Sequence, residues 1–338
     1  MTQQEQELAE KAHNASQSLD LDQRRGLIDQ RQAFEDILKL SANSLSNKTT
    51  AETLVKLLRI CAFIENDKLT DRLTEYLKPK VNQLENQELS QVFQSLVLLA
   101  KQDSKFIKTV ELLTMRRMHS LNEDQLSQII KAYSLLLQQH KLERASISFI
   151  QAFEAIISSK SNQYRDNLGG LVQALCALFR IYNLTQATAD GAMVSKDHLL
   201  AIVETTLQEM EALEEEDEEM SMTPAQLAEL YMSTFVLQTT EDFSHSLDFT
   251  PLNTLLQKSI SQMRAKDIFR IMHMHTQARV QRRNLLPNHI RGIDESVALW
   301  MQSNFQTLMP EEVVMVLQQN SSSIIVNKAA DYLNFQLD

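Results

Sequence analysis

The chain has 338 residues, 43% of them hydrophobic, and sets 33 Lys and Arg against 44 Asp and Glu for a net charge of −11. That length buries a large core, while five Gly and five Pro fall far below the usual ~7% and ~5% and leave too little turn chemistry for sandwiches or barrels. Two cysteines, Cys61 and Cys176, exclude a disulfide framework or a zinc site by count and point to a reducing, intracellular compartment.

Residues 1–20 are polar and lack an apolar core of the kind a signal peptide carries, so they are expected to form a tail, with order beginning near Leu21. From Leu54 onward an apolar signature recurs. Leu54, Leu57, Leu58, Cys61 and Ala62 trace one stripe of a helix; Leu89, Val92, Phe93, Leu96 and Val97 repeat it, and Leu126, Ile129, Ile130 and Tyr133 repeat it again. Further copies start at Leu168 and Leu227, and weaker ones at Ile268 and Val313. Successive anchors lie 35, 37, 42, 59, 41 and 45 residues apart, the length of a helix pair. Between them run second amphipathic stretches: Leu69–Leu77, Phe106–Met118, Ile147–Ile157, His198–Leu213, Leu252–Met263 and Ile290–Phe305. Pro79 should end or kink the first of these, whereas Pro224, Pro251 and Pro310 sit where a helix begins. The single long interval holds an insertion at about 184–222, with the acidic run Glu214–Glu219 read as a solvated loop. The longest apolar runs, such as Leu96–Ala100, are far short of the ~20 residues of a membrane span, so no transmembrane segment is expected.

These elements predict an all-α protein, an α-solenoid of about six to seven antiparallel helix pairs in one helical-repeat domain over residues 21–338. Each pair needs neighbours to bury its stripe. The decay of the stripe after Ile268, where His275 and Arg279 interrupt it, has the character of an end cap.

Chemistry-bearing clusters are few. Arg264, Lys266, Arg270, Arg279, Arg282, Arg283 and Arg291 face Asp267 alone, a local balance of +6 in an acidic chain. This segment is the candidate site for a protein partner or for RNA phosphates, and the sector that Arg279 shares with Ile268 requires the helix either to end near Ala278 or to project past its neighbours. His273 and His275 stand two residues apart on opposite helix faces and cannot share a metal ion there; with His289 they are read as core or surface histidines. Gly169 and Gly170 fall inside a repeat helix and are read as a place of close helix approach. No nucleophile elbow, metal cluster or phosphate loop is present, so no cofactor and no enzymatic activity are expected.

The motifs LSQVFQSLVLLA from Leu89 and LSQIIKAYSLLL from Leu126, each preceded by acidic or amide residues, resemble the repeats of organellar RNA-associated proteins, the FAST-kinase-like, RAP-domain and heptatricopeptide-repeat group. The resemblance covers about residues 50–240. It implies a mitochondrial or plastid α-solenoid, acting on RNA or as a structural subunit of a ribosome or another large assembly; without it, the cytoplasm is the alternative. The reading that follows is a non-catalytic scaffold or adaptor whose partners are other subunits of a large complex. Direct RNA binding through residues 264–293 is the second reading.

Overall fold

The structure, a computed structural model, describes residues 45–64, 66–99, 103–142, 145–186, 193–215, 222–239, 247–282, 288–304 and 308. Those residues are all-helical, with twelve α-helices, four 3₁₀ turns and no strand among them. In chain order the helices are α1 (Ala51–Ile64) and α2 (Asp67–Leu77), α3 (Asn86–Leu98) and α4 (Ser104–Arg117), α5 (Glu123–Gln138) and α6 (Ile147–Lys160). They continue with α7 (Leu168–Thr185) and α8 (Lys196–Glu215), α9 (Pro224–Thr239) and α10 (Thr250–Ser259), α11 (Ala265–Arg282) and α12 (Asn288–Asn304). Each odd-numbered helix carries one of the apolar stripes, and each even-numbered helix falls on one of the stretches between. The N-terminal tail, the acids Glu216–Glu219, Pro310 and the anchor Val313 lie outside the described residues.

By internal contacts the chain divides into two compact units, one formed by 1–160 with 177–199 and the other by 161–176 with 200–338. In the first, α1 packs on α2 and α3, α3 on α5, and α4 and α5 on α6. The stripe residues are what these contacts enclose: Leu54, Leu58, Leu89, Phe93, Leu126, Ile130 and Tyr133 are all fully buried. Such side chains each contribute roughly 1.5–3 kcal/mol by leaving water. Phe93, Tyr133, Phe149 and Phe153 meet as one aromatic cluster, with Tyr133 and Phe149 centred 4.6 Å apart. Cys61 is part of this core, and burial pushes its thiol pKa up to about 12. In the second unit α9 packs on α10 and α11, and α12 on α10 and α11.

Helix starts are set by short polar side chains. Asp103 Oδ1 accepts the N–H groups of Lys105 and Phe106 at 2.9 and 3.0 Å. Asn122 and Gln125 form a reciprocal capping box at 2.9 and 3.1 Å, and Thr223 and Gln226 another ahead of α9, with Pro224 at its first position. Pro79 acts as its chemistry requires: α2 stops at Leu77 and a 3₁₀ turn takes over at Lys78. Gly170 lies in the first turn of α7 rather than mid-helix, and the space a Cβ would fill, 2.7 Å away, belongs to the Asn167 side chain that caps the same turn. One residue earlier, the Gln226 side chain of α9 donates to the Gly169 carbonyl at 3.1 Å.

The turns that lead from an even helix to the next odd one share a device. Each places two enclosed residues three apart: Val81 and Leu84, Met118 and Leu121, Ser161 and Tyr164, Ile260 and Met263. In three of the four a basic residue stands immediately before the first and reaches back to carbonyl oxygens that lead into the preceding odd helix. Lys80 donates to Asn47, at 2.8 Å, and to Thr49. Arg117 donates to Asn82, at 3.0 Å, and to Leu84, and Lys160 to Leu121 at 3.4 Å. These charge-assisted bonds satisfy carbonyls that no helix uses. Between α3 and α5, Ser90 and Gln94 both donate to Gln128 Oε1, at 2.6 and 2.9 Å.

One helix, α7, is long and apolar enough to cross a membrane, and most of it is buried within the protein, as core helices are.

The end of α5 stores a small strain. His140 has φ 53°, while the amide of Lys141 bonds to Leu136 and that of His140 to Leu137, a Schellman ending built on a residue with a Cβ. His140→Gly should therefore raise stability by about 1 kcal/mol, read as a higher urea midpoint by far-ultraviolet circular dichroism; an unchanged or lower midpoint would contradict the strain.

Candidate functional site

Helix α11 carries the basic segment singled out in the sequence. Its buried face is Ile268, Ile271, Met272, His275 and Ala278; its exposed face is Lys266, Arg270, His273 and Gln277. The stripe therefore continues through His275 rather than breaking there. The helix also runs on to Arg282, past the end near Ala278 that was one of the two expected arrangements.

The seven cations are not equivalent. Arg264 precedes the helix and its Nε donates to Asp267 Oδ2 at 3.1 Å, a carboxylate in a residue only 4% exposed. Lys266 and Arg270 stand in solvent on the first two turns. Cations at a helix N-terminus oppose the macrodipole, so helix stability does not account for them. Arg279 and Arg282 lie on α11 and Arg291 on α12 with side chains outside the described residues, as does Arg283 altogether. The structure thus groups Arg264, Lys266 and Arg270 at one end of α11.

What holds α11 in place is a polar relay that the sequence reading passed over. His275, 1% exposed, has Nε2 2.7 Å from the Tyr231 hydroxyl on α9 and Nδ1 2.7 Å from Asp294 Oδ1 on α12. An ionised carboxylate only accepts, so Nδ1 carries a proton toward Asp294, and Nε2 pairs with the phenol. Phe235 stacks on the imidazole, ring centres 5.2 Å apart. Burial, then the charge of Asp294, push the Tyr231 pKa far upward, so the phenol stays protonated. The order hydroxyl, imidazole, carboxylate is that of a nucleophile relay, but Tyr231 is 0% exposed and the array serves to tie three helices together. A signal was available: His275 lies seven residues after its anchor, where α5 carries Tyr133, so a polar group there needs partners. His273 is exposed and bonds to Gln277, and among the described residues no group of three His, Cys, Asp or Glu is placed to hold a metal ion.

Two cavities open in the first unit. One of about 650 Å³ lies between α2, the end of α3 and α4, lined by Arg72, Glu75, Tyr76 and Asp103 among others. The other, about 330 Å³, lies between α4 and the connection from α5 to α6. At its back is Glu111, 7% exposed, whose carboxyl takes a hydrogen bond from Tyr133; the same phenol oxygen accepts the Ser146 N–H at 2.9 Å. Burial raises the Glu111 pKa, against the opposing pull of Tyr133 and Lys108. Compared with known proteins, the chain matches no protein-family model and no curated protein.

Tyr231→Phe leaves His275 Nε2 unpaired inside the core and should cost about 1–3 kcal/mol, followed through the fluorescence of Trp300, the single tryptophan, on α12. Equal stability would show the hydroxyl to be idle. Glu111 binds its proton more tightly folded than unfolded, so its contribution is full below the unfolded pKa and fades as pH rises through the folded one. Glu111→Gln should flatten that decline above the ordinary carboxylate range in urea titrations; a pH profile identical to the wild type would count against it.

Proposed function

We propose that this chain is a non-catalytic α-solenoid, a scaffold or adaptor subunit of a larger mitochondrial protein or ribonucleoprotein assembly. One observation carries the reading: the same joint recurs from pair to pair. Odd helices pack on odd helices from α1 through α3 to α5, and Lys80, Arg117 and Lys160 fasten successive turns in the same way. A protein built of pairs that contact mainly their neighbours gains surface in proportion to its length, which suits it to holding partners. The mitochondrial setting rests on the resemblance of the LSQ motifs alone.

A second reading is favoured by Lys266 and Arg270, exposed on α11 where they do not serve the helix: contact with RNA phosphates. One experiment separates the two. The tagged full chain, recovered from its source under native conditions, should elute in a large complex whose protein subunits mass spectrometry identifies. A free monomer would overturn the scaffold reading. Measurable RNA affinity at low salt, weakened and with a shallower salt slope in Lys266→Glu/Arg270→Glu, would support the second; no affinity would remove it.

A further inference from the structure

The outward face of α4 differs from the rest of this acidic chain. Lys105, Lys108, Leu112 and Arg116, spaced three, four and four residues apart, form one exposed stripe, and the sole acid of the helix, Glu111, is buried beside it at the back of the 330 Å³ cavity. None of the three cations makes an ion pair or a hydrogen bond among the described residues. At the centre of the stripe Leu112 is 58% exposed.

Leu112 also forms the lip of the 330 Å³ cavity, whose other apolar walls are Ile107, Leu142 and Ala145. Lys108 and Lys141 line the same cavity. Lys141 donates to the Val97 carbonyl and makes no ion pair among the described residues, and partial burial draws its pKa down. Glu111 sits at the back of the same cavity, where its carboxyl takes a hydrogen bond from Tyr133 and feels the charge of Lys108. The site is thus a slot with apolar walls, one buried carboxylate at its back and exposed cations along its rim.

We propose that the α4 face and this cavity form a docking site for an acidic, apolar protein segment, one that seats an aliphatic or aromatic side chain beside Leu112 and lays carboxylates over Lys105, Lys108 and Arg116. The inference rests on the scaffold reading and names the chemistry of one partner. Charge complementarity selects an acidic segment. The slot itself selects protein over nucleic acid, because no aromatic side chain lines it for a base to stack on.

The test uses the full chain and a labelled amphipathic peptide of about 15 residues, with leucines at i, i+3 and i+7 and glutamates between them. The same peptide with lysine for glutamate and a labelled oligouridine serve as the other probes. The glutamate peptide should bind and the lysine peptide should not. Lys105→Glu/Lys108→Glu/Arg116→Glu should weaken binding by about tenfold or more, and Leu112→Ser, which keeps every charge, by a similar factor. Far-ultraviolet circular dichroism and the thermal midpoint establish that both variants fold, and either variant alone suffices for the comparison. Absence of glutamate-peptide binding, or binding that neither variant weakens, overturns the proposal. So does oligouridine binding more tightly than the peptide at the same salt and being lost in the triple variant. Failure here with the native chain still in a large complex would remove this site and leave the scaffold reading standing.

Discussion

A helix pair of this chain exposes an apolar stripe that it cannot cover by itself, and every other feature of the structure answers that constraint. Leu54 and Leu58 on α1 need α3; Leu89 and Phe93 on α3 need α5. Burial is non-directional, however, and a stripe of leucines tolerates sliding. Register is supplied by polar contacts at the seams: Gln128 receives Ser90 and Gln94 at fixed points along α3, and Arg117 finds only the carbonyls of Asn82 and Leu84 within reach. Hydrophobic contact supplies most of the energy, and hydrogen bonds supply the position.

Enclosed polar groups follow the same economy. Tyr133 links Glu111 to Ser146, and His275 links Tyr231 to Asp294; each joins segments that leucines alone would leave free to shift. Asn253 on α10 departs from the pattern, with both polar atoms of its amide enclosed and unpartnered. That arrangement costs roughly 1–3 kcal/mol, set against the burial of Leu252, Leu255 and Leu256 beside it.

Local signals in the sequence were enough to place the helices. The stripe around Leu89 or Leu126 has a period only a helix satisfies, and Pro79, Asn122 and Pro224 mark boundaries through chemistry that acts within four residues. Fastenings such as Lys80 to Asn47 were invisible because they join residues more than thirty apart, and nothing in the neighbourhood of a lysine announces a distant carbonyl. His275 was read as the end of a stripe because a histidine scores as polar until its two partners are known. The basic residues of α4 were missed for another reason. Along the segment Glu111 dilutes the charge of α4, and only its burial, which sequence does not show, leaves the cations on the exposed face. In residues 264–293 the segment count was informative about charge but not about use: Arg264 turned out to be occupied by Asp267.

The reach of Lys80, Arg117 and Lys160 extends each helix pair beyond its own helix limits. A helix pair cut out at its own ends, from Asn86 to Arg117 for example, would keep the guanidinium and lose both carbonyls it binds, because Asn82 and Leu84 belong to the turn before. The segment that holds both partners of this contact starts at the end of one 3₁₀ turn and ends at the basic residue preceding the next, so adjacent pairs overlap by a few residues. Dissection of this protein into fragments, or grafting of its pairs onto another array, has to respect that overlap rather than the helix limits.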